Sequence, residues 1–495
     1  MLYKAARSAL LILSLAAGLL SCGGERVERA HPESHLMWGT YLGKDCSDEG
    51  FGLAVDGSGC AYVTGFTCSD DFPTTAGAFD RTFNGGTIDA FVIKLDPEGR
   101  TLIYSTFLGG SGPDRACGIA VDGSGRALIA GRTRSPDFPV TAGAFDTSAN
   151  GDYDLFAARL DPAGERLEYA TFLGGRFFDN GAGVALDAEG CAYLTGWTNS
   201  ADFPTTPGAF DRTRDPHQKY ADAVVVKLDR SGRSLRYATY LGGGGNDWGQ
   251  AIAVDDSGRA HVGLLTSSVD FPTTPNAFQS AHGGITDAAA VKLDRSGSGL
   301  IYATFLGGSA QDWAVAIAVD DAGRAHLTGT TYAEDFPTTP GAFDTLHHGL
   351  QDVFVAGLDP GGSDLIYGTF LGGSDEEHGT GILVSGGWIF LTGSTRSVAF
   401  PTTPEAFERS HHGRADAFLA VLASPGGTLA YSSLLGGSAD DVARAVGRDS
   451  RGRVFVTGWT ESVDLPVTPG AIDVTHGGKH DIFVFGIDLG AALQP

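Results

Sequence analysis

One phrase constrains this chain more than any other. DFPTTPGAF and its variants return with their proline at Pro73, Pro139, Pro204, Pro272, Pro337, Pro401 and Pro466, at intervals of 66, 65, 68, 65, 64 and 65 residues. A fixed period of this kind signals an array of like units, each unable to bury its apolar faces alone. A chain of 495 residues would otherwise suggest about three domains. Here nearly everything from Trp38 onward belongs to one array.

Each unit holds four apolar runs of strand length separated by turn signals. In the second unit they are Gly118 to Asp122, Ala127 to Thr133, Leu155 to Asp161 and Leu167 to Gly174. Asp-Gly-Ser-Gly joins the first two and Asp-Pro-Ala-Gly the last two, as suits type I turns and bulged hairpins. Runs such as DAFVIKL (Asp89 to Leu95) are apolar almost throughout, so both sheet faces must be covered. Ala54, Ala120, Ala185, Ala253 and Ala318 recur at one position of the first strand, where small side chains suit crowding near an axis. The pattern predicts an all-β fold, a single seven-bladed β-propeller of four-stranded antiparallel blades. His35 to Gly43 reads as a fourth strand, and the last unit stops after its third, Asp481 to Asp488. The N-terminal strand is therefore expected to close the last blade and remove a free sheet edge.

The phrases TFLGG, GIAVD, YVTG, DFPTTPGAF and DAFVxKLDPxG together resemble the bacterial SBBP repeat, named for the seven-bladed β-propeller. The resemblance runs from about Trp38 to Asp488 and implies a secreted or surface-attached propeller without an assigned activity. It carries over no catalytic residue. The sixth unit departs at Ser385, Ala399 and Ala423, and the seventh at Leu465 and Ile472.

Ahead of the array, residues 1–21 read as a signal peptide, with Lys4 and Arg7 before an apolar stretch from Ala9 to Leu20. Leu19-Leu20-Ser21-Cys22 resembles a lipobox, which implies lipidation at Cys22 and a membrane anchor. Gly23 after the cysteine favours the outer membrane, and residues 22–34 read as a tether to a propeller spanning 35–495. A formal charge of −25 argues against nucleic acid, whose phosphates call for a basic patch. Of the remaining cysteines, Cys46 and Cys68 flank one hairpin at the same end and are the candidate disulfide. Cys117 competes for that role, while Cys60 and Cys191 lie at the other end and are expected to stay reduced. No CxxC spacing points to a metal, and no cofactor motif is present.

In such a blade the four-residue turns occupy one end, and the inter-blade joins and long links the other. Loops on a rigid scaffold are where binding usually resides, so ligand contacts are expected on the long-loop face. Two carboxylate sets recur there. One precedes the first strand (Asp48, Asp114, Asp179, Asp247, Asp312, Glu377, Asp441), the other the third (Asp89, Asp154, Asp222, Asp287, Asp352, Asp416, Asp481). Without a DxDxDG loop, these suit turn capping better than calcium. Thr206 to Phe210 reads as a capped helical turn, and the recurring Phe79, Phe145, Phe210, Phe278, Phe343 and Phe407 are expected to pack onto the blades. His347-His348 and His411-His412 recur in equivalent loops.

Function is expected where the repeats differ. Phe177, Phe178 and Asp179, then Asp247 with Trp248, then Asp312 with Trp313, put rings beside carboxylates in three successive joins. That combination suits a sugar or peptide platform. The chain is thus read as a monomeric, surface-anchored, non-enzymatic module for an extracellular polysaccharide or protein partner. A polysaccharide hydrolase or lyase using acidic residues of the same face is the alternative.

Overall fold

The computed structural model describes residues 35–214, 219–490, 492 and 493; Cys22, the proposed signal peptide and the tether lie outside them. The described residues form twenty-eight strands in seven four-stranded antiparallel sheets, with no α-helix. Six blades take four consecutive strands each, counted outward from the axis. Blade one is Asp48–Val55, Ala61–Thr67, Asp89–Leu95 and Leu102–Leu108.

Blade seven closes the ring. Its strands Asp441–Arg448, Val454–Thr460 and Asp481–Ile487 receive the chain's first strand, Leu36–Leu42, as their outermost member. Thr40 pairs Val484 and Leu42 pairs Ile482. Tyr41 fixes the latch: its hydroxyl donates to the Ser462 carbonyl (2.8 Å) and accepts the Leu465 N–H (2.9 Å). Trp38 reaches onward to blade one, donating to the Pro97 carbonyl (3.2 Å).

The middle strands are buried along their length, which explains their unbroken apolar runs. Apolar clusters form between successive blades; one joins Val92 and Tyr104 of blade one to Ile129 and Phe156 of blade two. The innermost strand differs. In every blade its register slips once, at Gly50/Gly52 in blade one and Ala116/Gly118 in blade two. The extra residues are Phe51, Cys117, Ala182, Gln250, Val315, Thr380 and Arg444. A bulge of this kind re-aims a side chain, and these seven are all half-buried on the strand that lines the axis.

The long links take a path the sequence reading did not anticipate. They run down the outside of their own blade. Thr75 N–H bonds the Ser105 carbonyl (3.1 Å) and Phe107 N–H the Asp80 carbonyl (3.0 Å), which covers the free edge of the outermost strand. Phe79 N–H then bonds Gly164 of the next blade (2.8 Å). The expected helical turn at Thr206 to Phe210 is instead a β-turn, with Ala209 N–H on the Thr206 carbonyl and Gly208 at φ +83°. Proline followed by a positive-φ glycine is the type II signature, which the capping reading overlooked.

Phe79, Phe145, Phe210, Phe278, Phe343 and Phe407 pack against the blade cores as expected, though only half-buried. The deeply buried rings are those before the prolines: Phe72, Phe138, Phe203, Phe271, Phe336 and Phe400.

Candidate functional site at the axial mouth

Both carboxylate sets are fully sequestered at the long-loop end, wedged between blades. Asp114 Oδ2 accepts the Gly110 N–H and the Ser135 hydroxyl, each at 2.7 Å. Asp89 Oδ2 accepts the Asn84 N–H at 2.7 Å, and its Oδ1 is buried without a partner. Gly109, from the recurring LGG phrase, fills the space between them. A Cβ there would lie 2.7 Å from Asp114 Oδ2 and 2.8 Å from Asp89 Oδ1. Burial drives the acids toward their neutral form, Asp114 to about 6, Asp89 to about 7 and Asp416 to about 8. These groups cap turns and hold blades together.

The three carboxylates singled out with the rings share that fate. Asp179 accepts from Gly175 N–H (2.7 Å), Asp247 from Gly243 N–H (2.8 Å) and Asp312 from Gly308 N–H (2.8 Å), all fully buried. The structure thus separates the rings from the acids expected beside them. Trp248 is half-buried and stacks on Trp197 (5.4 Å, 26°). Trp313 sits edge-on to Tyr332 (6.0 Å), and its Nε1–H donates to the Thr286 hydroxyl (3.0 Å). Phe178 meets Tyr153 at 5.1 Å, and Phe177 projects into solvent, 54% exposed.

Two further pairs complete an arc around the mouth: Phe51 on Phe66 (5.8 Å, 26°) and Trp459 on His480 (4.4 Å, 21°). His480 also bridges Glu49 (2.8 Å) and Glu461 (3.2 Å). The sequence reading missed Trp197, Trp459 and Phe66, though a signal existed. Each stands opposite the residue that follows the first-strand aspartate: Phe66 faces Glu49, Trp197 faces Asn180 and Trp459 faces Val442. In blades one, three and seven the first strand lacks a ring at this register and the second strand supplies one, whereas blade two places Arg115 opposite Arg132 there.

The remaining sequence candidates are structural in character. Cys46 and Cys68 form a disulfide with a Cα–Cα distance of 5.6 Å, and Cys60, Cys117 and Cys191 are free thiols. His347 and His411 bond the Thr331 and Thr395 carbonyls (3.3 and 3.2 Å), while His348 pairs Asp344 (2.8 Å) and His412 pairs Glu408 (3.6 Å). At the short-turn end, Asp187, Glu189 and Cys191 bring three potential metal ligands within 4.8 Å of one another. Asp187 is already held by Lys227 (3.1 Å) and the Cys191 N–H (2.9 Å). Two open clefts, one within blade two at Arg134, Asp152 and Asp154 and one between blades two and three at Asn150, Arg176 and Asp202, are lined by other residues than the Trp197–Trp248 pair.

Residues 236–272 and 301–337 match the family model of the Beta-propeller repeat, SBBP. Each stretch runs from the outermost strand of one blade to the DFP of the next. Those two stretches carry the SBBP repeat, and the described residues fold as a seven-bladed β-propeller. No curated protein matches the chain. Among solved structures, the chain is similar to a protein of unknown function from Dyadobacter fermentans, with 10% identity and a TM-score of 0.46 over 92% of this chain and 100% of that one. The quinohemoprotein alcohol dehydrogenase of Comamonas testosteroni gives 12%, 0.41, 91% and 76%. The hydrazine synthase of Kuenenia stuttgartiensis gives 12%, 0.39, 69% and 75%. Likeness this loose carries nothing about function.

Proposed function

We propose that this SBBP-repeat propeller is a non-enzymatic binding module for an extracellular polysaccharide, received at the axial mouth on the long-loop face. The reading rests on the aromatic arc. Repeats that are otherwise near copies diverge where the first two strands meet the long-loop end, and five ring pairs gather there. Flat, half-exposed rings suit the apolar faces of sugars. The two carboxylate sets that a glycosidase would draw on are buried in turns. A lipid on Cys22 would hold the module at the cell envelope; mass measurement of the mature N-terminus tests that part.

The Trp248→Ala, Trp313→Ala double variant tests the site. Against a glycan panel, binding should weaken at least about tenfold, in line with about 1.4 kcal/mol or more lost with two stacking rings. Unchanged glycan binding by the folded double variant would remove the proposal, and release of reducing ends by the parent protein would replace it with the hydrolytic reading.

A further inference from the structure

Three arginines gather near the axis, Arg115 and Arg132 from blade two and Arg444 from blade seven. Arg115 lies on blade two's innermost strand with its guanidinium carbon 4.0 Å from the Phe51 ring centroid. Arg444, the bulge residue of blade seven, lies 5.3 Å from the same centroid. Arg132 stands directly across the strand pair from Arg115 and sits over both Tyr153 (5.4 Å) and Phe178 (5.6 Å). Like charges directly opposite on paired strands are destabilising.

No carboxylate among the described residues lies within ion-pair distance of them, whereas the buried Arg159 is paired with Asp122 and Glu168. Arg132 has one hydrogen bond to Asn180 Oδ1 (3.1 Å), and the Nε atoms of Arg115 and Arg444 are buried without a partner. Glu49, the carboxylate nearest in kind, is bonded to His480. Burial, together with the Arg115 charge, holds both Arg132 and Arg444 below their ordinary values, with Glu49 partly offsetting this at Arg444. Orphaned guanidinium donors in a site with little water are costly, and in a chain of formal charge −25 acidic partners are not scarce.

The geometry points to an oxyanion subsite formed by Arg115 and Arg444 over Phe51, with Arg132 across the strand pair from Arg115, which reads a carboxylate or sulfate borne by the polysaccharide. This deepens the preceding proposal and rests on it: the rings take sugar faces, and the arginines select acidic sugars. Guanidinium forks match such groups in a bidentate way, and the aromatic faces beneath keep them oriented. The chain's net negative charge disfavours non-specific docking of an acidic polymer, so this cluster of unpaired arginines is the favoured contact.

Titration calorimetry of the full chain separates the two readings. The probes are a galacturonate hexamer, its neutral galactose counterpart, a glutamate hexamer and sodium sulfate. The uronate should bind at least about tenfold tighter than the neutral hexamer, with sulfate competing and added sodium chloride weakening it. Arg115→Gln with Arg444→Gln should abolish that preference and leave the neutral affinity within about twofold. Because the substitutions remove unneutralised charge, the ligand-free variant should melt no lower than the parent; a purely structural role would lower it. Should the double variant fail to fold, Arg444→Lys, which keeps the charge but loses the fork, should still reduce the uronate preference by severalfold. Equal affinity for both sugars would overturn the subsite and leave the aromatic reading standing. Absence of binding to every sugar and to sulfate would overturn both, and glutamate binding as tightly as uronate would overturn the sugar assignment.

Discussion

The carboxylates between the blades are the chain's most repeated chemistry, and their protonation sets a testable pH response. Asp89 and Asp179 are shifted by burial to about 7 and Asp416 to about 8. In the unfolded chain the same groups titrate near 3.9. The native state therefore keeps protons that the unfolded chain has released. Their contribution to stability is fully present below pH about 4 and is lost as pH rises through 6 to 8. The turn aspartates Asp56, Asp122, Asp187 and Asp255 work in the opposite sense: their hydrogen bonds outweigh burial and hold them below their ordinary value, so their contribution disappears in stronger acid. Denaturant unfolding should show greatest stability near pH 4 to 5 and a progressive decline toward pH 8. Asp416→Asn should flatten that decline, stabilising by on the order of 1–3 kcal/mol at pH 8 with a smaller effect at pH 5. A rise in stability from pH 5 to 8, or an Asn variant weaker at pH 8, would contradict the assignment.

Among the elements, the long link holds the largest difference between sequence and structure. Its near-identity in every unit marked it as structural. Its path was hidden, because hydrogen bonds such as Phe107 N–H to Asp80 depend on which backbone edge lies free, not on side-chain pattern. Depth of burial was hidden in the same way: Phe343 packs against the core while half-buried, whereas Phe336, 3% exposed, stacks 4.6 Å from Phe354. Both are phenylalanines flanked by turn residues, and only the route of the chain distinguishes them. Phe336→Ala should therefore cost about 3–5 kcal/mol and Phe343→Ala about 1–2 kcal/mol, as read by chemical denaturation. Near-equal losses would restore the reading from sequence. Strand number, strand length and blade boundaries were legible, because apolar runs and Asp–Gly turns repeat seven times. The bulge was not: one extra residue in an eight-residue strand leaves no periodic trace where both faces are partly covered. It nevertheless puts Arg444 and Phe51 on the axis. The rings at the mouth were half legible, as tryptophans after the first-strand aspartate could be seen and their cross-strand substitutes needed register.

For the molecule as a whole, the mouth exists only because the ring is closed. Phe51, Arg115 and Arg444 come from blades one, two and seven, and the bond between Glu49 and His480 spans the seam between first and last blades. That seam is secured by a strand from the other end of the array, where Trp38, Tyr41 and Leu42 are 4%, 1% and 1% exposed. Without it, blade seven would present a bare edge, the Ser462 and Leu465 backbone would lose Tyr41, and the axial cluster would have no fixed geometry. Removing residues 35–43 and following calorimetric unfolding together with sedimentation is the most direct trial. The closed-ring structure predicts a lower, broadened transition and self-association through the exposed edge. A truncated chain that stays monomeric and unfolds in one transition at the parent's temperature would contradict it.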